Sequence, residues 1–209
     1  MNCTNLKMTR FAVIYNGINK DFFDTVFSSD EIRKDLKIPK DTFLVGHVGR
    51  VDTAKNHPTI LKVARIVCKE NSKIHFILAG NGTDNLVVGD FKDRIHLLGY
   101  RNDIRKLLAA MDLFYFPSLT EGQSNALIEA MVKGLAIISS NIEPIKETMP
   151  EKMIDELVAP LDAQKAAEKI LRAAEDKSYR DSLKCKEWAI EHFDADKLFG
   201  QFKKELQYL

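Results

Sequence analysis

Short runs of apolar, β-prone residues alternate with longer runs of helical periodicity along most of this chain. The pattern predicts strands at residues 12–15, 43–49, 74–80, 94–99, 113–117 and 135–140, with a weaker one at 156–159. Most of these runs are apolar on both faces, as expected where helices cover both sides of a parallel sheet. Repeated strand–helix–strand units imply right-handed crossovers. The predicted fold class is therefore α/β, a doubly wound, parallel, Rossmann-like sheet with helices on both faces.

Two of the intervening helices have clear apolar faces. A helix predicted at residues 56–69 repeats its apolar residues at helical spacing: Ile60, Leu61, Ala64, Val67 and Cys68. A second helix, at residues 103–111, has Asn102 as its expected N-cap. Cys68 on the first of these faces is expected to be a buried free thiol.

Charge and cysteine content exclude several functional classes. The chain has 31 Lys plus Arg against 30 Asp plus Glu, so no overall basic field suggests a nucleic-acid partner. The three cysteines form no CxxC pair, which fits a reducing compartment. No apolar run approaches the roughly 20 residues that span a bilayer. The predicted location is therefore the cytoplasm, and any anion site must be local.

The stretch EGQSNALIEA, residues 121–130, follows the predicted strand that ends near Pro117. Ser124 or Asn125 is a natural N-cap for a helix that runs to Lys133 and ends at Gly134. In an open α/β sheet, ligands bind beyond the carboxyl ends of the strands. The loop before this helix is therefore expected to face a ligand.

Two glutamates flank that helix start, and their positions suggest a specific ligand chemistry. Glu121 lies in the loop, and Glu129 lies about one turn inside the helix. The amides of residues 123–126 at the helix N-terminus would attract an anion such as phosphate. Carboxylates would repel phosphate, so these two are expected to accept hydrogen bonds from neutral hydroxyls, as sugars carry. A solvated helix residue is the alternative for Glu129.

The loop after the strand at residues 43–49 carries two cations. No GxGxxG fingerprint of a dinucleotide site occurs here. Arg50 and Lys55 stand in its place, before a helix that starts near residues 56–58. Two cations at the end of a strand can neutralise a diphosphate without a metal. Arg50 directly follows a buried strand, whereas Lys55 could equally be a solvated loop charge.

These motifs together resemble a known family. Arg50 and Lys55 after a strand, LAGNG, LLGYRNDI, AMDLFYFPS and EGQSNALIEA occur in the order seen in family-4 retaining glycosyltransferases. The chain resembles the C-terminal, nucleotide-sugar-binding half of their GT-B fold. VIYNGINKDFF resembles the segment that enters this half, so the match covers roughly residues 11–208 and is thin after about residue 150. The KNH and NALIEA variants are similar to enzymes that build capsule, exopolysaccharide or lipopolysaccharide.

The resemblance implies a role for each site residue. Glu121 would face the donor sugar, Glu129 would bind the ribose hydroxyls, and Arg50 with Lys55 would hold the diphosphate and stabilise its charge as it leaves. Arg50, Lys55 and Glu121 form the implied catalytic set, and the backbone of residues 100–101 would meet the base. The implied donor-binding set is Gly49, Arg50, Lys55, Arg101, Glu121, Gly122, Gln123, Ser124, Asn125, Ala126 and Glu129. No metal or other cofactor is expected.

The resemblance also implies a domain organisation. Residues 1–20 would enter from a missing N-terminal domain, residues 21–175 would bind the nucleotide-sugar, and residues 176–209 would form C-terminal helices, the last docking on the missing domain. That domain would hold the acceptor, in cis or in trans, and would supply any peripheral contact with the inner face of the membrane.

Three functions are consistent with this organisation. The favoured one is a donor domain of a retaining, hexosyltransferase-type enzyme that is inactive as an isolated half. The alternative is a non-catalytic nucleotide-binding subunit of a two-chain glycosyltransferase complex. A sugar epimerase of the same fold has less support, because EGQSNALIEA matches transferases better.

Overall fold

The structure, a computed structural model, describes residues 13–24 and 27–206 as one parallel sheet with surrounding helices. The strands are β1 (Phe43–Val48), β2 (Ile74–Ala79), β3 (Ile95–Leu97), β4 (Leu113–Phe116) and β5 (Ala136–Ser139). Every neighbouring pair is parallel. Each strand ends within two residues of its predicted limits. The predicted α/β fold class is confirmed.

The strand order places a reversal in the middle of the sheet. The order is β3-β2-β1-β4-β5, so the chain winds outward from β1 in one direction and then returns to β4 on its other side. Right-handed crossovers in the two directions place their helices on opposite faces. In open α/β sheets a crevice forms where the winding reverses, and ligands bind there. In this sheet that point lies at the carboxyl ends of β1 and β4.

Helices cover both faces of the sheet. The described residues contain α1 (Lys20–Asp24), α2 (Asp30–Asp35), α3 (His57–Glu70), α4 (Ile104–Ala110), α5 (Asn125–Val132), α6 (Glu143–Thr148), α7 (Ala163–Glu175), α8 (Lys177–Ser182), α9 (Lys186–Phe193) and α10 (Ala195–Leu206). Helix α3 packs on α7, α2 packs on α4, and α5 packs on α9. None of the helices in this part of the chain is long and apolar enough to span a membrane.

The core explains why the strands are apolar on both faces. All residues of β2, β4 and β5 are buried. Cys68 of α3 is a buried free thiol, as predicted, and burial raises its pKa to about 11. Asp112, which precedes β4, ties this core to the amino end of β1. Its Oδ2 accepts a hydrogen bond from Leu44 N at 2.7 Å and pairs with Arg33 at the same distance.

Three local predictions are wrong. Residues 13–15 do not form a strand, because they find no neighbouring strand; only Ile18 makes a single parallel bridge, to Asp194. The predicted strand at 156–159 is reduced to one bridge between Val158 and Ser140, beyond the end of β5. Asp103, not Asn102, occupies the N-cap of α4, and its carboxylate bonds Arg101 rather than the helix amides.

The C-terminal helix leaves an apolar stripe on the surface. Asp194 Oδ1 accepts hydrogen bonds from the amides of residues 196 and 197. The DAD sequence at residues 194–196 therefore forms the start of α10. Leu198 is buried, whereas Phe199, Phe202 and Leu206 are exposed. The docking of this helix on a further domain stays a prediction. Residues 1–12 and 207–209, which belong to the predicted entry segment and tail, lie outside the described residues.

Candidate functional site

The loop that follows β1 passes very close to its neighbours. The amide of Gly49 donates to Ala79 O at 2.9 Å, which extends the pairing with β2 by one residue. A Cβ at Gly49 would lie 2.8 Å from Nε2 of His47 and 3.3 Å from the side chain of Lys55. Only glycine therefore lets the loop begin here and place its following residues at the edge of the sheet.

Arg50 and Lys55 lie in very different environments. The side chain of Arg50 is 77% exposed, and its Nε bonds Asp52 Oδ2 at 2.7 Å, which raises the pKa of the guanidinium. The side chain of Lys55 is only 18% exposed, and its ammonium sits 4.9 Å from the centre of the Phe116 ring. The sequence favoured Arg50 as the more enclosed cation, and the structure shows the opposite.

Lys55 forms its ion pair with Glu121. Lys55 Nζ lies 2.5 Å from Glu121 Oε1, and the side chain of Glu121 is 9% exposed. The two residues are 66 positions apart and come from the loops after β1 and β4. The loops themselves are joined by a hydrogen bond from Leu119 N to Ala54 O at 2.7 Å. A cation and a carboxylate therefore share the crevice where the strand order reverses.

The loop at residues 117–124 ends in the N-cap that the sequence predicted. Ser124 Oγ accepts a hydrogen bond from Leu127 N at 3.4 Å, and α5 begins at Asn125. The amides of Asn125 and Ala126 thus belong to the first turn of the helix, where the N–H groups have no intrahelical carbonyl to bond. Gly122 is exposed, with open space where a side chain would point. Helix α5 ends at Val132, and Gly134 follows with φ +78°, as expected of a C′ position.

Glu129 lies one turn inside α5, beside a different cavity. Burial raises the pKa of its carboxyl group, with Arg105 acting in the opposite direction. The cavity, of about 340 Å³, is also lined by residues in or after α1 and at the start of α4: Phe22, Phe27, Asn102, Asp103, Ile104, Arg105 and Lys106. A half-buried carboxylate beside open space can accept hydrogen bonds from a bound hydroxyl. Glu129 is therefore not the fully solvated helix residue of the alternative interpretation.

Arg101 is held by an acid in its own loop. Its guanidinium bonds both carboxylate oxygens of Asp103, at 2.8 and 2.5 Å, which raises the pKa of Arg101 and lowers that of Asp103. The adjacent Tyr100 is exposed. The side chain of Arg101 is thus engaged within the loop, and its backbone stands beyond the carboxyl end of β3.

A buried polar group beneath the loop after β1 was not predicted from the sequence. His47 is fully buried in β1, where its Nδ1 lies 3.0 Å from Tyr115 O and burial lowers its pKa to about 3. Its ring meets that of His57, the first residue of α3, edge to face at a centroid distance of 5.1 Å. Asn56 between loop and helix has a left-handed backbone and donates to the carbonyls of Pro117 and Pro160. The signal that the sequence offered for this buried polar group was His47, a polar residue in the centre of an apolar strand.

Several atoms in this buried group have no protein partner. Within the described residues, the buried side-chain atoms without a hydrogen bond include His47 Nε2 and Ser118 Oγ. Burial also lowers the pKa of His57. Both imidazoles are therefore neutral at pH 7 and add no charge beneath Lys55.

Comparison with known proteins identifies one family. Residues 42–176 match the family model described as glycosyl transferases, group 1. The UDP-Gal:α-D-GlcNAc-diphosphoundecaprenol α-1,3-galactosyltransferase of Escherichia coli is 32% identical over 143 residues, which are 64% of this chain and 37% of that protein. The phosphatidylinositol N-acetylglucosaminyltransferase GPI3 subunit of Saccharomyces cerevisiae is 26% identical over 161 residues, 72% of this chain and 34% of that protein. The chain thus spans less than two fifths of these curated relatives.

The fold also matches solved structures. The crystal structure of Anabaena Alr3699/HepE in complex with UDP and glucose superimposes with a TM-score of 0.83 at 24% identity. The alignment covers 95% of this chain and 57% of that chain. At this level of identity the similarity establishes the fold.

Proposed function

The chain belongs to the group 1 glycosyl transferase family, and from that premise we propose that it is the donor-binding part of a retaining, hexosyltransferase-type enzyme. Its sheet is one Rossmann-like half of a GT-B fold, and the family resemblance seen in the motifs is confirmed. The proposed donor is a nucleotide-diphosphate sugar, and the proposed product is a growing polysaccharide or lipid-linked glycan. A uridine-diphosphate hexose is the first donor to test, since one relative is named for UDP-Gal and one matched structure holds UDP and glucose.

The observation that carries this proposal is the Lys55–Glu121 pair in the crevice between β1 and β4. A diphosphate entering the crevice would compete with Glu121 for the ammonium of Lys55, while Arg50 at the rim would supply a second cation. The carboxylate of Glu121 would then accept hydrogen bonds from sugar hydroxyls. Because two side chains supply positive charge, we expect donor binding to need no divalent metal.

The same residues can assist the transfer step. The bond between the anomeric carbon and the diphosphate oxygen breaks, and an acceptor hydroxyl forms the new bond on the same face of the sugar. Arg50 and Lys55 stabilise the negative charge that develops on the departing oxygen. Glu121 orients the sugar and stabilises positive charge near the anomeric carbon. The departing phosphate takes the proton of the acceptor, and Glu129 holds the ribose.

Transfer needs an acceptor held about 3–3.5 Å from the anomeric carbon. In the proposed enzyme an N-terminal domain provides that position, either in the same polypeptide or in a separate one. The 209-residue chain by itself is therefore expected to bind the donor and not to transfer the sugar. A cytoplasmic enzyme that contacts the inner face of the membrane through that domain fits a lipid-linked acceptor.

A second candidate is a non-catalytic nucleotide-binding subunit of a two-chain glycosyltransferase complex. The Saccharomyces cerevisiae relative is named as a subunit, which favours this possibility. Such a protein would bind the nucleotide and still give no product when an acceptor domain is supplied.

Calorimetry with the purified chain tests the proposal directly. UDP, UDP-galactose and UDP-glucose are titrated with and without EDTA, and ADP and GDP forms serve as comparisons for the base. A product assay follows, with and without an N-terminal domain added in trans. Donor binding that survives EDTA, together with transfer only after the domain is added, supports the enzyme. Absence of nucleotide binding contradicts the proposal, and binding without transfer in the combined assay favours the second candidate.

A further inference from the structure

The short segment that precedes α1 is anchored to the C-terminal part of the chain. The amide of Ile18 donates to Phe193 O at 2.7 Å, and the amide of Ala195 donates back to Ile18 O at 3.1 Å. A Cβ on Gly17 would lie 2.3 Å from Cα of Ala195, so the two backbones are in close contact. Residues 17 and 18 are thus held against the junction between α9 and α10.

The residue just before this anchor is bound by the loop that carries Glu121. Asn16 N donates to Gln123 Oε1 at 2.5 Å, and Gln123 Nε2 donates to Asn16 O at 3.0 Å. The two residues are 107 positions apart. A primary amide presents an acceptor and a donor side by side, as a neighbouring strand would. Glutamine is therefore suited to pair with both backbone groups of a single residue.

The loop has few other anchors at this point. On one side of Gln123, Gly122 faces open space, and on the other Ser124 is fixed by its role as N-cap. The carboxylate of Glu121 is held by Lys55. When a diphosphate binds the ammonium of Lys55, that ion pair is lost, and the carboxylate of Glu121 must be held in place by other contacts. The bonds between Gln123 and Asn16 do not involve the phosphate site and can persist.

We propose that Gln123 is a positioning residue whose side chain fastens the loop at residues 117–124 to the backbone of Asn16. This attachment keeps Glu121 oriented toward the sugar when the ammonium of Lys55 binds the diphosphate instead of Glu121. This inference rests on the proposed function. It assigns to the side chain of Gln123 a role separate from any contact that its backbone amide makes with the donor. Its partner is the backbone of Asn16, and the side chain of Asn16 takes no part in the two bonds.

Four proteins test this inference: the wild-type chain, Gln123→Met, Gln123→Ala and Asn16→Ala. Gln123→Met keeps the length of the side chain and removes both hydrogen bonds. Asn16→Ala is the matched control, because both bonds go to the backbone of Asn16 and remain in that variant. Calorimetry gives the dissociation constants of UDP and of a UDP-hexose for each protein. Hydrogen exchange of the Asn16 amide reports the contact itself.

The expected result is a difference between the two ligands. Gln123→Met and Gln123→Ala should bind the UDP-hexose about fivefold more weakly, the effect expected when a misoriented Glu121 loses one hydrogen bond to the sugar, and should bind UDP within about twofold of wild type. The Asn16 amide should exchange faster in both, and Asn16→Ala should behave as wild type. Equal binding of the UDP-hexose by wild type and Gln123→Met would overturn the inference, as would an equal loss for both ligands. A wild-type chain that binds no nucleotide would remove the proposed function and this inference with it.

Discussion

Lys55 and Glu121 form an ion pair across the crevice of the sheet, with Nζ 2.5 Å from Oε1 and side chains that are 18% and 9% exposed. The pair joins the loop after β1 to the loop after β4. It satisfies two charges that would otherwise be partly buried without a partner. In the proposed function it is also the contact that the donor must replace.

Removing both members of this pair should destabilise the fold by less than the two single changes added together. Lys55→Ala and Glu121→Ala are each expected to cost about 1–3 kcal/mol, because each leaves a partly buried charge unpaired. The double variant should cost less than the sum, by about 1 kcal/mol or more. Urea unfolding of the four proteins measures this coupling. The exposed pair Lys177–Asp181 is the control and should show coupling below about 0.5 kcal/mol. Additive effects at Lys55 and Glu121 would contradict the prediction.

Arg50 should matter for binding and not for stability. Its side chain is exposed, so Arg50→Ala should leave the unfolding free energy within about 0.5 kcal/mol of wild type. The same change should weaken UDP binding by about tenfold or more, the effect of a charge-assisted hydrogen bond. Arg50→Lys should recover only part of the lost UDP affinity, because an ammonium group cannot form the two parallel hydrogen bonds of a guanidinium.

Calorimetry and urea unfolding of the same preparations measure both quantities for the Arg50 variants. Lys34→Ala, at an exposed position of α2, alters the net charge equally and is the control. Undiminished UDP binding in Arg50→Ala would exclude Arg50 from the site.

Glu129 should act on the nucleotide and not on the sugar. Glu129→Ala is expected to weaken the binding of UDP and of a UDP-hexose by the same factor, about fivefold, because both ligands carry the ribose. Glu121→Ala should instead weaken only the binding of the UDP-hexose. It should bind UDP at least as well as wild type, because the ammonium of Lys55 no longer pairs with Glu121. Calorimetry with both ligands separates the two roles, and identical profiles for the two variants would contradict this division.

The raised pKa of Glu129 adds a pH test. Protonation removes an acceptor from the ribose contact, so UDP affinity should fall as the pH drops from 7 toward a pKa above the ordinary 4.5. Glu129→Gln cannot titrate, and its UDP affinity should change less over the same range. An unchanged pH profile in Glu129→Gln would show that another group is responsible.

Two buried imidazoles should make the fold less stable in mild acid. Burial lowers the pKa of His47 to about 3 and that of His75 to about 4, from 6.5. Between pH 4 and 6.5 the unfolded chain binds protons that the folded chain does not. The contribution of these two histidines to the free energy of unfolding is therefore complete above pH 6.5 and is lost as the pH falls below that value. Each group adds up to about 1.4 kcal/mol per pH unit.

Urea unfolding at several pH values between 4 and 7 measures that slope. His75 Nδ1 lies 3.2 Å from His96 Nε2, and His75→Gln removes the titrating group at this position. The variant should show a shallower rise of unfolding free energy with pH. His192→Gln is the control, because His192 is exposed. An equal slope in wild type and His75→Gln would contradict the assignment.

Much of the fold was predictable because its signals are local. An apolar run of five or six residues between turns indicates a buried strand, and β2 and β4 follow their predicted limits closely. The cap of α5 was equally accessible, since Ser124 bonds an amide only three residues away. The strand expected at residues 12–15 shows the limit of such local signals. A strand needs a neighbour to bond, and the composition of the segment says nothing about whether a neighbour is there.

The sequence by itself determined the class of fold, the edge of the sheet where a ligand could bind, and the charged residues that reach that edge. Only the tertiary structure decided how those charges are used. Lys55 is enclosed and bonded to Glu121, while Arg50 stands in solvent beside Asp52. Gln123 meets Asn16 across 107 positions, and His47 lies beneath the loop. The physical reason is distance along the chain: caps and apolar periods join residues within one or two turns, whereas an ion pair between two loops forms only after the packed sheet has brought them together.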